Sequence, residues 1–257
     1  MSATKGSTNS IKEREAAFHD EVAGSIVEAL PRAPDHLEQA LLRSIGEIRG
    51  LDVLELGCGH GELTMQLIDA GANVVATDLS PGMVAAAQAR IARHRPRSTA
   101  RVLTASAEQS DFADETFDVV LGKWIIHHVN VTAALREAVR VLRPGGTAAF
   151  IENSAMNPVL RFARDRLVGR FGIPRLGTVD EHPLLAADYE LFDDVFEDVT
   201  LIWPDFYFLR LLDRQVLRQR WQPITRWVKS ADDTVYRHLP RLRKRSFHVI
   251  VLARKAA

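Results

Sequence analysis

The sequence contains one cysteine, Cys58, in 257 residues. An internal disulfide is therefore excluded, and the chain suits a reducing compartment. No apolar stretch approaches the roughly 20 residues that a transmembrane helix needs. The first residues lack the apolar core of a secretory signal. Charge of either sign is not in excess: 33 Lys and Arg face 33 Asp and Glu, so no overall field draws the chain to nucleic acid. No His, Cys, Asp and Glu spacing has the pattern of a metal ligand set. There is no internal repeat, and no low-complexity block beyond residues 1–10, which read as a disordered tail. These absences lead to the expectation of a cytoplasmic protein with no metal and no nucleic-acid partner. What is present is an apolar fraction of 46%, enough for a sizeable core in one large domain or two small ones.

Helical periodicity comes first. Ile11, Phe18, Val22, Ile26 and Leu30 share one face, and Pro31 and Pro34 end that helix. A second helix over 35–48 aligns Leu37, Leu41, Ile45 and Ile48. Strands and helices then alternate. Strands are predicted at 51–56, 73–78, 101–105, 117–121 and 147–151, with helices between them at 61–70, from Ser80-Pro81 onward, and at 131–142. Strands separated by helices of this length imply a parallel sheet with right-handed crossovers. After residue 152 the rhythm changes: an amphipathic helix over 158–171, a loop with several glycines and prolines, a strand at 195–203, a helical segment over 204–245 and a last strand at 247–252.

The most informative stretch is Val53-Leu54-Glu55-Leu56-Gly57-Cys58-Gly59-His60-Gly61-Glu62. An apolar run ends in glycines at alternate positions, which let the backbone turn sharply and a ligand approach without a Cβ in the way. The helix that follows offers free N–H groups, a place for negative charge. Asp78 stands at the tip of the next strand, where its carboxylate can accept hydrogen bonds from a ribose diol. An adenosine-like ligand is the expectation. A dinucleotide site asks for G-x-G-x-x-G; here Glu62 occupies the position of that third glycine, so a nicotinamide or flavin is the weaker reading. Cys58 reads as a small packing residue of the loop, and His60 as a loop residue.

Glu55 to Gly61 resembles the first motif of the class I S-adenosylmethionine-dependent methyltransferases, and Asp78-Leu79-Ser80-Pro81-Gly82-Met83 resembles their second. Phe117-Asp118-Val119-Val120, Trp124 to His128, and Arg140 to Gly146 are similar to the small-molecule branch of that family. The resemblance covers about residues 35–153 and the last strand; no subfamily is recognised. It implies an α/β, Rossmann-like, seven-stranded, mostly parallel sheet with the last strand antiparallel, carrying N-terminal helices and a helical lid or insert. One domain over 11–257 follows, with N-terminal helices (11–50), a cofactor-binding core (51–153), a variable lid segment (154–194) and the 204–245 insertion. The implied cofactor is S-adenosylmethionine. Gly57, Cys58, Gly59 and Gly61 would line its methionine and ribose part, and Glu55 would orient the loop or reach the amine through water. Asp78 would hold the ribose hydroxyls, Leu79 and Met83 would sandwich the adenine, and Ser106, Ala107 and Glu108 would face its edge. The family commonly has aspartate where Ser106 stands. Lys123 would contribute its backbone carbonyl.

Methyl transfer from a sulfonium is an in-line displacement in which the enzyme mainly aligns donor and acceptor. An acidic acceptor also needs a base near neutral pH, a task for histidine. His127 and His128 follow the fourth strand, at the carboxyl edge where ligands gather; packing of the loop is the alternative role for the pair. His182, on the variable segment, is a second candidate, and His19 in the N-terminal helix could reach the cofactor or substrate, since such helices often lid this fold.

The 204–245 segment holds eleven Lys or Arg and four Asp or Glu, a net of +7, so the remainder of the chain is −7. Phe206, Tyr207, Phe208, Trp221 and Trp227 are interleaved with these charges, and helix 158–171 is similarly basic on one face. Three readings stay open: a solvated face packed on the sheet, a lid over a long apolar substrate, and peripheral contact with an anionic membrane. The stacking and glycine signatures of RNA modules are absent. At this level a methyltransferase acting on a small or lipid-like acceptor, at oxygen before nitrogen or carbon, competes with a non-catalytic module of the same fold.

Overall fold

The computed structural model describes residues 35–167, 183–217 and 219–257. The expected N-terminal tail, the helix at 11–30, His19 and His182 lie outside the described residues.

Seven strands form one sheet in the order β3-β2-β1-β4-β5-β7-β6. They are β1 Asp52–Leu56, β2 Asn73–Asp78, β3 Arg101–Thr104, β4 Phe117–Lys123, β5 Leu142–Asn153, β6 Asp198–Ile202 and β7 His248–Arg254. β1 to β5 pair in parallel, and β7 runs antiparallel to both β5 and β6. The inner strands are apolar on both sides because helices cover both faces. Alternation along β1 divides the core. Leu54 and Leu56 join Val120, Phe150 and Val251 on one side, and Val53 joins Val74, Leu121 and Ile151 on the other.

The first side is closed by α4 (Val131–Val141) through Ala134, Leu135 and Ala138, and by α6 (Ala186–Val195) through Tyr189 and Phe192. The second is closed by α1 (His36–Ile45), α2 (Glu62–Asp69) and α3 (Pro81–His94), through Leu37 and Leu41, Leu63 and Leu67, and Val84 and Ile91. α3 begins where Ser80-Pro81 predicts: the Ser80 hydroxyl accepts from Met83 N at 3.0 Å, and Pro81 takes the first helical position.

α1 ends at Ile45, three residues short of the predicted limit, because Gly46 leaves the helical region with φ 93. α6 was not expected: the sixth strand, predicted over 195–203, is only Asp198–Ile202, and helix precedes it. Its start lacks a Ser, Thr, Asp or Asn N-cap; instead Asp188 Oδ2 accepts from Leu185 N at 2.7 Å, a cap supplied from inside the helix. α5 spans Pro158–Leu167. The expected helical segment before β7 resolves into a turn at Leu209–Leu212, a wider turn at Asp213–Leu217, α7 at Gln222–His238 and a tight turn at Pro240–Arg245. Buried Asp232 on α7 accepts from the backbone N–H of Leu209 at 3.0 Å and of Arg210 at 2.9 Å, and from Arg210 Nε at 3.2 Å. Arg210 is thus spent inside the insertion rather than solvated.

Candidate active site

Strand register brings the candidate residues to one edge. Leu56 pairs with Thr77 and Gly122, Asp78 with Thr104, Lys123 with Ile151, and Asn153 with His248. This is the carboxyl edge of the parallel strands, where α/β sheets hold their ligands.

The glycine loop turns from β1 into α2 with positive φ at Gly57 (66°), Gly59 (52°) and Gly61 (81°). A Cβ on Gly57 would stand 2.8 Å from Ile125 Cδ1, and one on Gly61 3.0 Å from Ala87 Cβ, so both are packed against protein. At Gly59 a Cβ would meet nothing within 4 Å: its outer side is open. Half-buried Asp78 clasps this loop, Oδ2 accepting from Gly59 N at 2.8 Å and Oδ1 from Ser80 N at 2.9 Å. Each oxygen retains lone-pair capacity for a hydroxyl donor. Leu79 is half-buried beside it and Met83 is buried at the start of α3.

Glu55 lies inside the second core with 2% of its surface exposed. The Thr64 hydroxyl donates to its Oε2 at 2.6 Å. Burial pushes its pKa up to about 8, against the Thr64 hydrogen bond and with help from the charges of Asp78 and Glu38. Cys58 is buried, and its thiol is pushed far above the ordinary range by burial and by the neighbouring carboxylates of Glu55 and Asp78, which disfavours the thiolate.

Ser106 Oγ accepts from Glu108 N at 3.2 Å, Ala107 is buried, and Glu108 Oε1 accepts from Asn130 N at 3.0 Å. Glu108 therefore ties the segment after β3 to the start of α4. Lys123 carries its ammonium to α1: Nζ donates to Glu38 Oε1 at 2.7 Å and Asp35 Oδ2 at 3.1 Å, 4.3 Å above the Trp124 ring. Trp124 turns the chain with φ 57, into a tight turn at Ile126–His128. There His127 Nδ1 meets Glu152 Oε2, while Glu152 Oε1 accepts from Ile125 N at 2.9 Å and Ile126 N at 2.7 Å. The rings of His127 and His128 lie 4.3 Å apart.

Glu152 is fully buried, and sequence reasoning missed it. The signal was there: an acid closing the apolar run Ala148-Ala149-Phe150-Ile151 at the same edge as Asp78. Sequence spacing also did not reveal that His36, Asp205 and His248 converge, from α1, the stretch after β6 and the start of β7. A hollow of about 550 Å³ lies at the opposite, amino-terminal edge of the strands, lined by residues such as Asp52, Asn73, Thr116 and Arg143. It holds none of the loop residues, and its Arg143 is paired with Asp52 and Asp118 at 2.8 Å each.

Residues 54–150 match the family described as "Methyltransferase domain". An uncharacterized methyltransferase of Mycobacterium tuberculosis is 36% identical over 124 residues, 48% of each chain. The demethylmenaquinone methyltransferase of Tropheryma whipplei is 32% identical over 167 residues, 63% of this chain and 66% of the relative. Among solved structures the [4+2]-cyclase SpnF superposes with a TM-score of 0.62 at 18% identity, over 96% of this chain and 97% of that one, a likeness of fold. The chain spans about half the length of the first curated relatives it matches.

Proposed function

Because this chain belongs, through residues 54–150, to the class I S-adenosylmethionine-dependent methyltransferases, we propose that it is an enzyme carrying a methyl group from S-adenosylmethionine to an apolar, lipid-like small molecule, at oxygen in preference to nitrogen or carbon. The observation that carries this reading is the clasp of Asp78 on Gly59 N–H at 2.8 Å, beside a Gly59 whose outer side is open. Those residues fit the cosubstrate: an acid at the strand tip for the ribose diol, and a glycine loop whose Gly59 a ligand can approach without meeting a Cβ. Bound there, S-adenosylmethionine supplies an electrophilic methyl group on a sulfonium centre. The chain's own part is to align the acceptor and to take its proton. His127, oriented by Glu152 through Nδ1, exchanges that proton at Nε2; a carboxylate partner of this kind fixes the tautomer and stabilises the imidazolium. The apolar acceptor is supported by the relative named for demethylmenaquinone.

Calorimetric titration of S-adenosylmethionine and S-adenosylhomocysteine into the purified protein tests the reading. Micromolar binding to wild type is expected, with Asp78→Ala losing at least about tenfold, or 1.4 kcal/mol, while its thermal unfolding stays cooperative. No binding to wild type would sink it in favour of a non-catalytic module. With a reduced naphthoquinol as acceptor, His127→Ala is expected to lower kcat by about 10²–10⁴-fold; an unchanged kcat removes the base from the proposal.

A second reading concerns where the acceptor is met. Trp221, Trp227, Leu239 and Leu242 are exposed in the basic segment before β7, and Val159 and Phe162 on α5. Aromatic and aliphatic groups among Arg and Lys suit an anionic lipid surface, which in this reading is the source of a lipid-like substrate.

A further inference from the structure

We propose that His36, Asp205 and His248 form a binding site for one divalent transition-metal ion of the zinc type. The site has no part in the methyl-transfer reading and does not depend on it. The three come from separate parts of the chain: His36 opens α1, Asp205 follows β6, and His248 opens β7. Asp205 Oδ2 lies 3.0 Å from His36 Nε2 and 3.1 Å from His248 Nδ1, and the three ligand atoms all lie within 4.8 Å of one another. Tetrahedral coordination with bonds of about 2.0–2.1 Å places ligand atoms about 3.3 Å apart. Asp205 Oδ2 already stands within a few tenths of an ångström of that spacing from each imidazole nitrogen, and an ion would draw the two imidazoles together within a cluster that spans no more than 4.8 Å.

The donor set is also right chemically. Two imidazoles and one carboxylate suit zinc and its first-row neighbours, whereas magnesium prefers oxygen ligands throughout. The carboxylate is held ready: Ser246 Oγ donates to Asp205 Oδ1 at 3.1 Å, and Tyr207 N donates to Ser246 Oγ at 3.0 Å. The His248 ring is set by Tyr207, 4.5 Å away at 32°. Outer partners that orient ligands are part of what makes a metal site rather than a chance cluster. Asp205 and His248 are buried, but the His36 side chain is 54% exposed, which gives an ion a way in. Three protein ligands leave a fourth position for water or for an oxygen of a bound molecule. With the ion in place, α1 is tied to the segment before β7 by coordination instead of hydrogen bonds.

The alternative is a hydrogen-bonded His–Asp–His cluster that takes no metal. The full chain, stripped with chelator and dialysed, is titrated with Zn²⁺ against a chromophoric competitor, alongside His36→Gln and Asp205→Asn. His36→Gln changes a half-exposed side chain and leaves the Asp205–His248 pair intact, so it keeps the test independent of any folding defect in Asp205→Asn. One ion per wild-type chain is expected, with affinity at least about tenfold lower in His36→Gln, and a zinc-dependent rise in Tm that His36→Gln lacks. Millimolar Mg²⁺ is expected not to displace the zinc. Absence of stoichiometric binding, equal affinity in wild type and His36→Gln, or displacement by Mg²⁺ would each overturn the proposal.

Discussion

Glu55 stands two residues before the glycine loop with almost no water around it. Its folded pKa is raised to about 8, burial being the largest cause. A raised carboxyl pKa contributes stability that is fully present below the unfolded value of about 4.3 and is lost as pH rises through about 8. Wild type is therefore expected to lose a few kcal/mol of unfolding free energy between about pH 5 and pH 9 on this account, and Glu55→Gln to remove that dependence and be the more stable protein at pH 9. Urea unfolding at the two pH values measures it; parallel pH profiles would show Glu55 to be ionised in the folded state. Gly122 makes a steric case of the same size. A Cβ there would lie 2.6 Å from Ile125 Cγ2 and 2.8 Å from the Leu56 carbonyl oxygen. The oxygen belongs to the neighbouring strand and cannot swing away. Gly122→Ala is expected to cost at least about 1–3 kcal/mol, read as a lower Tm, and to push Ile125 and so disturb the Ile126–His128 turn that follows it.

At the scale of elements, α1 is docked by charge. Asp35 caps its own helix, accepting from Leu37 N and Glu38 N at 2.9 Å each, and Lys123 at the end of β4 bridges Asp35 and Glu38. Gln66 on α2 donates to Glu38 Oε2 at 2.7 Å. Burial alone would raise the Glu38 pKa; the Lys123 and Gln66 hydrogen bonds outweigh it and leave it lowered. A lowered carboxyl pKa contributes stability above the unfolded value and loses it as pH falls through the folded one. Lys123→Met strands a carboxylate that is 1% exposed, and removing one partner of a buried pair costs about 3–5 kcal/mol. Denaturant unfolding of Lys123→Met should show a loss in that range, and Glu38→Gln in the same chain should recover part of it. No recovery would mean that the lysine stem, and not the charge, was what mattered.

For the whole molecule the charge is divided rather than absent. Residues 204–245 carry +7 and the rest −7. Part of the positive charge is consumed internally, as Arg210 is by Asp232 and Asp233. The remainder surrounds exposed Trp221 and Trp227. Sedimentation with phosphatidylglycerol vesicles is expected to bring the protein down at low salt and release it as ionic strength shortens the screening length to about 10 Å near 0.1 M. Trp221→Ala with Trp227→Ala should weaken the association without moving Tm by more than about a degree or two, since exposed substitutions usually change stability by less than about 0.5 kcal/mol. Equal sedimentation with neutral phosphatidylcholine vesicles would rule out charge as the cause, and no sedimentation would leave the segment as a solvated face.

By itself the sequence determined whatever repeats at short range. Short apolar runs separated by helical segments specified β1, β2 and β4 almost to the residue, Ser80-Pro81 marked the start of α3, and the alternating glycines marked the turn between β1 and α2. These depend on backbone conformations and hydrogen bonds within a few residues, so the local pattern is sufficient. The helix Ala186–Val195 escaped because its cap is an acid inside the first turn and its start is a leucine. Tertiary structure alone decided the rest. Glu152 reaches His127 across 25 positions, Lys123 reaches Glu38 across 85, and Asp205 reaches His36 across 169. Each of those pairings exists because the sheet order β3-β2-β1-β4-β5-β7-β6 carries strand ends from distant parts of the chain to one edge. No spacing along the chain encodes which ends will meet; burial of both sheet faces does.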